Sequence, residues 1–120
     1  MRGKRRMARQ ENVLKVVDVP PGNASWTAIE AFALTLNGYE IIGDTDCGIF
    51  ANQTKDEFGK NEKCLQQLTL EQARVCLFFE QRRFRHFDEE PEGADRRYIV
   101  GLLETIRTRA VTGVDDESRK

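Results

Sequence analysis

Glu80 is the residue whose type and position most suggest chemistry, because it is an acid among apolar side chains. The sequence predicts a helix over Thr69 to Phe87, and at helical spacing its apolar residues fall on one stripe centred on Glu80. That stripe consists of Leu70, Ala73, Cys76, Leu77, Phe84 and Phe87. A carboxylate in such a position must be paired, protonated or used, since burying an isolated charge is costly.

Two interpretations of Glu80 follow. In the structural one, the carboxylate forms an ion pair with Arg83 on its own helix or with Arg97 on the next helix. In the functional one, it is a general acid or base with a raised pKa, or part of a ligand pocket. Because arginine is plentiful nearby and no second carboxylate faces Glu80 on this helix, the sequence favours the ion pair.

The same predicted helix has a second apolar face, formed by Val75, Phe78 and Phe79. A helix that is apolar around its middle is either central in its bundle or covered by another chain. Three arginines surround this face: Arg74, Arg82 and Arg85. Aromatic anchors with arginine neighbours are typical of protein interfaces, so contact with a partner, including a homodimer, is the alternative to burial within the monomer.

The charges are unevenly distributed along a chain whose net charge is −1. Five basic candidates for phosphate binding lie in residues 1–9, which contain no acid: Arg2, Lys4, Arg5, Arg6 and Arg9. No aromatic residue lies among them to stack on bases, and the body of the chain is nearly neutral, so the nucleic-acid signal is weak. The sequence does not decide whether translation starts at Met1 or Met7, and a start at Met7 would remove most of this charge.

Two further charged segments complete the distribution. Between Cys64 and Ser118 there are eight arginines and no lysine, and arginine suits bidentate recognition of carboxylate or phosphate. The segment Asp88–Asp95 holds five acids and no base. Pairing of the arginines with these acids is the structural alternative to phosphate recognition.

Metal and cofactor chemistry has little support in the sequence. The three cysteines are widely spaced, and a lone His86 provides no Cys/His ligand pattern. Asp44–Gly48 superficially resembles a calcium loop, but the required Gly and Glu positions hold other residues. P-loop, GxGxxG and HExxH patterns are missing as well. We therefore assign no cofactor, no metal site and no catalytic residue, although these gaps do not exclude every enzyme.

The hydrophobic periodicity predicts a mainly α fold, a small domain of three to four helices. The predicted helices run from about Asn23 or Ser25 to Leu36, from Asp44 or Thr45 to Gly59, from Thr69 to Phe87 and from Ala94 to Ala110. For the first of them, Ser25 and the Thr27–Glu30 pair, which has capping-box spacing, are alternative caps. The last two, with a short connection, form a C-terminal antiparallel helical hairpin. The alternative is an α+β fold with a short N-terminal strand at Val13–Val19 and a β-hairpin at 39–52.

We expect one helical domain over residues 13–111, between a basic disordered arm (1–12) and a charged disordered tail (112–120). Unpaired cysteines favour a cytoplasmic setting, and no apolar run is long enough to cross a membrane. The predicted function is a non-enzymatic protein-interaction or regulatory module using the 69–110 hairpin. The alternatives are a nucleic-acid-associated protein using the arm and the helical arginines, and a small ligand-binding protein or enzyme centred on Glu80.

Overall fold

The computed structural model describes residues 18–36 and 44–119, and their side chains over 18–36 and 47–110. Within these ranges every regular element is a helix, which confirms the predicted mainly α class. The elements are α1 (Trp26–Leu34), α2 (Asp44–Lys60), a 3₁₀ helix (Glu62–Gln67), α3 (Leu70–Phe87) and α4 (Ala94–Arg119). The basic arm and its five phosphate-binding candidates lie outside the described residues.

Two helix starts form at cap residues that the sequence offers, and for α1 the structure selects Ser25 among the alternatives. Ser25 caps α1, and its hydroxyl oxygen accepts a hydrogen bond from the Ala28 N–H at 3.2 Å. Thr69 and Gln72 form a reciprocal capping box at α3, with N···O distances of 3.1 and 2.9 Å. The chain turns out of α3 at Asp88, which has a left-handed backbone with φ 54°.

Residues 44–60, for which the sequence allowed either a helix or part of a β-hairpin, are helical. Four α2 residues with helical spacing face the interior: Cys47, Ala51, Thr54 and Phe58. Because Gly48–Asn52 lies inside α2, the predicted β-hairpin at 39–52 is wrong. The predicted first strand of that hairpin, 39–43, and residues 13–17 of the predicted N-terminal strand lie outside the described residues.

The connection after α2 is more ordered than the polar linker that the sequence predicts. Residues Glu62–Gln67 form a 3₁₀ helix, and the Asn61 side-chain oxygen caps it by accepting from the Lys63 N–H at 3.1 Å. Leu65 anchors the element, since only 3% of its surface is exposed. One apolar residue among polar ones gives too weak a pattern for sequence reasoning to identify.

The predicted antiparallel hairpin of α3 and α4 lies at the centre of the domain. The buried stripe of α4 comprises Tyr98, Ile99, Leu102, Leu103, Ile106 and Ala110. The Trp26 and Phe84 rings, 5.9 Å apart, join α1 to α3, while the Phe58 and Tyr98 rings, 5.1 Å apart, join α2 to α4. The backbone of α4 continues to Arg119, past the expected end at Ala110 and into the predicted tail.

Three arginines of α4 hold distant parts of the chain through backbone carbonyl groups. Arg107 donates to the carbonyls of Val19 and Pro20, both at 2.9 Å. Arg96 donates to the carbonyls of Gly22 and Ala24, and Arg109 donates to those of Gln66 and Leu68. A guanidinium group can satisfy two carbonyls at once because its donors form a planar fork. These arginines therefore position the segments before α1 and α3.

We expect Arg107→Ala to lower the free energy of unfolding by about 1.5–3 kcal/mol, since two carbonyls lose a charged donor. Arg85→Ala is the matched control, because Arg85 is exposed and makes no ion pair within the described residues. Its effect should stay within about 0.5 kcal/mol. Urea denaturation measures both variants, and equal effects would contradict the structural role of Arg107.

Candidate functional site

Four charged side chains meet where α2, α3 and α4 converge. Lys55 of α2 lies between two carboxylates, with its Nζ 2.9 Å from Glu80 Oε1 and 2.8 Å from Asp95 Oδ1. Arg83 Nη2 lies 3.2 Å from the same Glu80 oxygen and 4.0 Å from Asp95 Oδ1. We call these four residues the Lys55 cluster. Each of the three helices contributes at least one member, so the cluster links them electrostatically.

Each helix places its member for a local reason. Lys55 follows the buried Thr54 and lies at the edge of the buried stripe of α2, from which its long side chain reaches Glu80 and Asp95. Asp95 lies in the first turn of α4, where the helix dipole favours an acid. Glu80 lies on the core stripe of α3 and is only 5% exposed.

Aromatic rings form the wall of the Lys55 cluster. The Lys55 ammonium lies 5.7 Å from the centroid of the Phe84 ring and 5.6 Å from that of Tyr98. The Arg83 guanidinium lies 5.4 Å from the Phe84 ring centroid. The negative faces of aromatic rings attract cations, so both cations are held by rings as well as by carboxylates.

The pKa of Glu80 is raised from an ordinary value of 4.5 to about 8, first by burial and then by the negative charge of Asp95. Desolvation disfavours the charged carboxylate, and a neighbouring acid acts in the same direction. Lys55 and Arg83 oppose this effect because they donate hydrogen bonds to the carboxylate. The outcome is an acid that titrates near neutral pH instead of far below it.

The neighbours of Glu80 provide no nucleophile at neutral pH. Burial raises the pKa of the Cys76 thiol to about 11, and burial likewise raises the pKa of the Tyr98 hydroxyl. Both side chains are at most 1% exposed, so a substrate has no access to them. The Lys55 cluster can hold a proton and fix three helices, but it lacks an activated attacking group.

The structure confirms one of the two arginines predicted to pair with Glu80 and corrects the other. Arg83 pairs with Glu80, whereas Arg97 pairs with Glu62, with 3.3 Å between Arg97 Nε and Glu62 Oε2. Arg97 lies on the exposed side of α4, so it meets the 3₁₀ helix instead of α3. Sequence reasoning missed Lys55 and Asp95, because they approach Glu80 only through tertiary packing.

A groove between α2 and α3, with a volume of about 750 Å³, begins beside Glu80. Its α2 side consists of Gly48, Ala51 and Asn52, and its α3 side consists of Phe79, Glu80, Arg82, Arg83, Arg85, His86 and Phe87. We call it the α3 groove. The α3 groove is thus lined both by Glu80, the acid on the core stripe, and by Phe79 of the second apolar face with its neighbouring arginines.

Aromatic rings and arginines alternate along the α3 groove. The Arg82 guanidinium lies 5.2 Å from the Phe79 ring centroid and 5.8 Å from the Phe78 centroid. At the end of the groove, Phe87 is 61% exposed, and its ring packs edge-on against the His86 ring at 4.8 Å. Phe87 therefore adds an exposed aromatic side chain to one end of the groove.

Only part of the predicted interface set lies on this surface. Phe79, Arg82 and Arg85 line the α3 groove, whereas Phe78 and Arg74 are buried, with exposures of 6% and 5%. Phe78 belongs to the core because α3 packs against α1, α2 and α4 and so needs apolar residues on more than one side. Of the two alternatives that the sequence left open for Phe78, the structure shows burial in the core, and Phe87 is the exposed ring at the groove.

A second groove, of about 810 Å³, lies between the 3₁₀ helix and α4. Its apolar floor includes Phe58, Leu65 and Val100. Several charged groups on its rim already have partners, since Arg96 and Arg109 bind carbonyls and Arg97 binds Glu62. These three arginines are thus engaged within the domain.

The described part of the chain was compared with two other kinds of site, metal centres and membrane spans, and has neither there. No group of three or more histidine, cysteine or acidic side chains is placed there to hold a metal ion. Among the described helices, none combines the length and the apolar character needed to traverse a lipid bilayer. The chain matches no protein-family model, no curated protein and no solved structure at a significant level.

The pKa of Glu80 predicts a specific dependence of stability on pH. Between about pH 4.5 and pH 8 the folded chain keeps a proton that the unfolded chain releases. The resulting stabilisation is fully present below pH 4.5 and is lost as the pH rises through about 8. We therefore expect the free energy of unfolding of the wild type to fall relative to that of Glu80→Gln over this range.

Urea denaturation of both proteins at several pH values measures this difference. Because the Glu80→Gln variant retains all the other titrating groups, their contributions largely cancel in the comparison. The opposite outcome would contradict this prediction. If the free energy of unfolding of the wild type rises relative to that of Glu80→Gln with increasing pH, the ion pairs dominate and the pKa of Glu80 is lowered.

Proposed function

We propose that this chain is a small, non-enzymatic protein-interaction module whose binding surface is the α3 groove. The observation that carries the proposal is the exposed Phe87 ring at the end of a groove that also contains the stacked Phe79 and Arg82. Interfaces concentrate their binding energy in aromatic and arginine side chains. The groove thus resembles an interface in both shape and residue types.

The arginines of the chain divide into two groups with different uses. Arg96, Arg107 and Arg109 bind backbone carbonyls within the domain, so they support the fold. Arg85, in contrast, is exposed beside the groove and makes no ion pair with any described residue. An exposed cation without an ion pair to any described residue, in a groove that also contains an exposed aromatic ring, supports recognition of another molecule.

The two other functions suggested by the sequence have less support. An enzyme centred on Glu80 would need an activated partner group, and the nearby thiol and phenol are buried with raised pKa values. Nucleic-acid binding by the helical arginines loses its main candidates, because three of them bind carbonyls. Binding through the basic arm stays a prediction from sequence.

We also propose that this module works in a reducing compartment such as the cytoplasm. Cys47, Cys64 and Cys76 are free thiols, and Cys47 and Cys76 are fully buried as small apolar side chains.

Site-specific photo-crosslinking in cells tests the proposed surface. With p-benzoylphenylalanine in place of Phe87, we expect covalent adducts with another protein chain, because this ring lies at the interface. The same amino acid in place of Leu34, which is 42% exposed on α1, is the matched control and should give few adducts. Arg85→Glu in the Phe87-substituted chain should reduce the adducts by about tenfold or more.

Adducts that are absent at position 87, or equally abundant at position 34, would contradict the proposed surface. The mass of each adduct also shows whether the captured chain is a second copy or a different protein.

A further inference from the structure

The loop after α3 carries a concentrated negative charge. Its four acids, Asp88, Glu89, Glu90 and Glu92, are all exposed. Within the described residues none of them forms an ion pair, whereas the fifth acid of the segment, Asp95, binds Lys55. We call Asp88–Glu92 the acidic loop. The idea that the helical arginines pair with this loop is therefore wrong for these four acids.

The positive charge of the α3 groove lies directly before the acidic loop on the same helix. Arg82 and Arg85 are spaced three residues apart, so they share one side of α3. The distance from Arg82 to the start of the acidic loop is about 10 Å along the helix axis at the usual rise per residue. The end of α3 thus carries a positive patch and then a negative patch, with Phe87 between them.

From this arrangement we infer that the occupant of the α3 groove is a second copy of this chain, docked with the two α3 helices antiparallel. The inference rests on the proposed function of the groove. An antiparallel two-fold contact reverses the order of the patches, so the acidic loop of each protomer faces the arginines of the other. A parallel contact would place like charges together.

Phe87 lies at the C-terminal end of α3, between Arg85 and the acidic loop in the sequence. Pairing the arginines of each copy with the acidic loop of the other places the two-fold axis near this end of the helix. The helix ends that carry the exposed Phe87 rings then come together, with the charges around them. This is the usual arrangement of a protein interface.

The size of the surface sets the expected strength of the dimer. Contact through one helix end and a groove is small beside the roughly 1,200–2,000 Å² that stable interfaces typically bury. We therefore expect a reversible dimer, observed at concentrations of about 10 µM and above. Because charges orient the two copies, raising the salt concentration should weaken the dimer.

Sedimentation equilibrium of the full chain and of charge-reversed variants tests the inference. We expect Arg82→Glu/Arg85→Glu and Glu89→Arg/Glu90→Arg each to weaken self-association about tenfold or more. An equimolar mixture of the two variants should form a heterodimer at least as well as the wild type dimerises. In this heterodimer the reversed groove meets the reversed loop, and the unchanged groove meets the unchanged loop.

Arg97→Glu is the matched control, since Arg97 is an exposed arginine of α4 that pairs with Glu62 away from the α3 groove. It should leave self-association unchanged, and circular dichroism checks that each variant is folded. A wild type that stays monomeric at about 500 µM would overturn the inference. So would charge-reversed variants that dimerise normally or fail to form the heterodimer.

The proposed function and this inference can fail separately. If photo-crosslinking at position 87 captures a different protein while the chain stays monomeric, the surface is an interface but its occupant is not a second copy. If the chain dimerises without adducts at position 87, the dimer uses another surface, and both the proposed groove and the antiparallel contact are wrong.

Discussion

The interaction on which the rest of the structure depends is the contact of Lys55 with two carboxylates at the junction of three helices. Its ammonium group joins Glu80 of α3 to Asp95 of α4, and its own backbone belongs to α2. Burial makes the Glu80 carboxyl group hold its proton to higher pH, while the cations around it favour ionisation. This balance lets an acid occupy the core stripe of α3.

The position of the Lys55 cluster also determines what the surface can offer. The groove that starts beside Glu80 and Arg83 has Arg82, Arg85 and Phe87 among its exposed groups. The α4 arginines are used within the domain, where they bind carbonyls before α1 and α3. A chain with almost no net charge can therefore still have one surface with a strong local pattern of charges.

The features that were predictable from sequence depend on residues close together in the chain. The Ser25 cap, the Thr69–Gln72 capping box and the α4 stripe are local patterns, and each lies where it was predicted. The spacing of Cys47 and Phe58 also favoured a helix for α2, as observed. Helix ends are harder to predict, as the continuation of α4 to Arg119 shows.

The candidate site was only partly predictable because its members come from different helices. Glu80 and Arg83 are separated by three residues, so sequence could pair them, but no local pattern relates Lys55 or Asp95 to Glu80. Arg97 was a wrong partner because the rotation of α4 about its axis is set by packing. Phe78 could be assigned to the core only once the helices that surround α3 were known.

A double-mutant cycle between Lys55 and Glu80 tests the central claim most directly. The free energy of unfolding is measured for the wild type, Lys55→Met, Glu80→Gln and the double variant at about pH 9, where Glu80 is ionised. If Lys55 and Glu80 form a coupled buried pair, the losses of unfolding free energy in the two single variants should together exceed the loss in the double variant by about 1 kcal/mol or more. Additive effects, with no coupling between the two positions, would contradict the account.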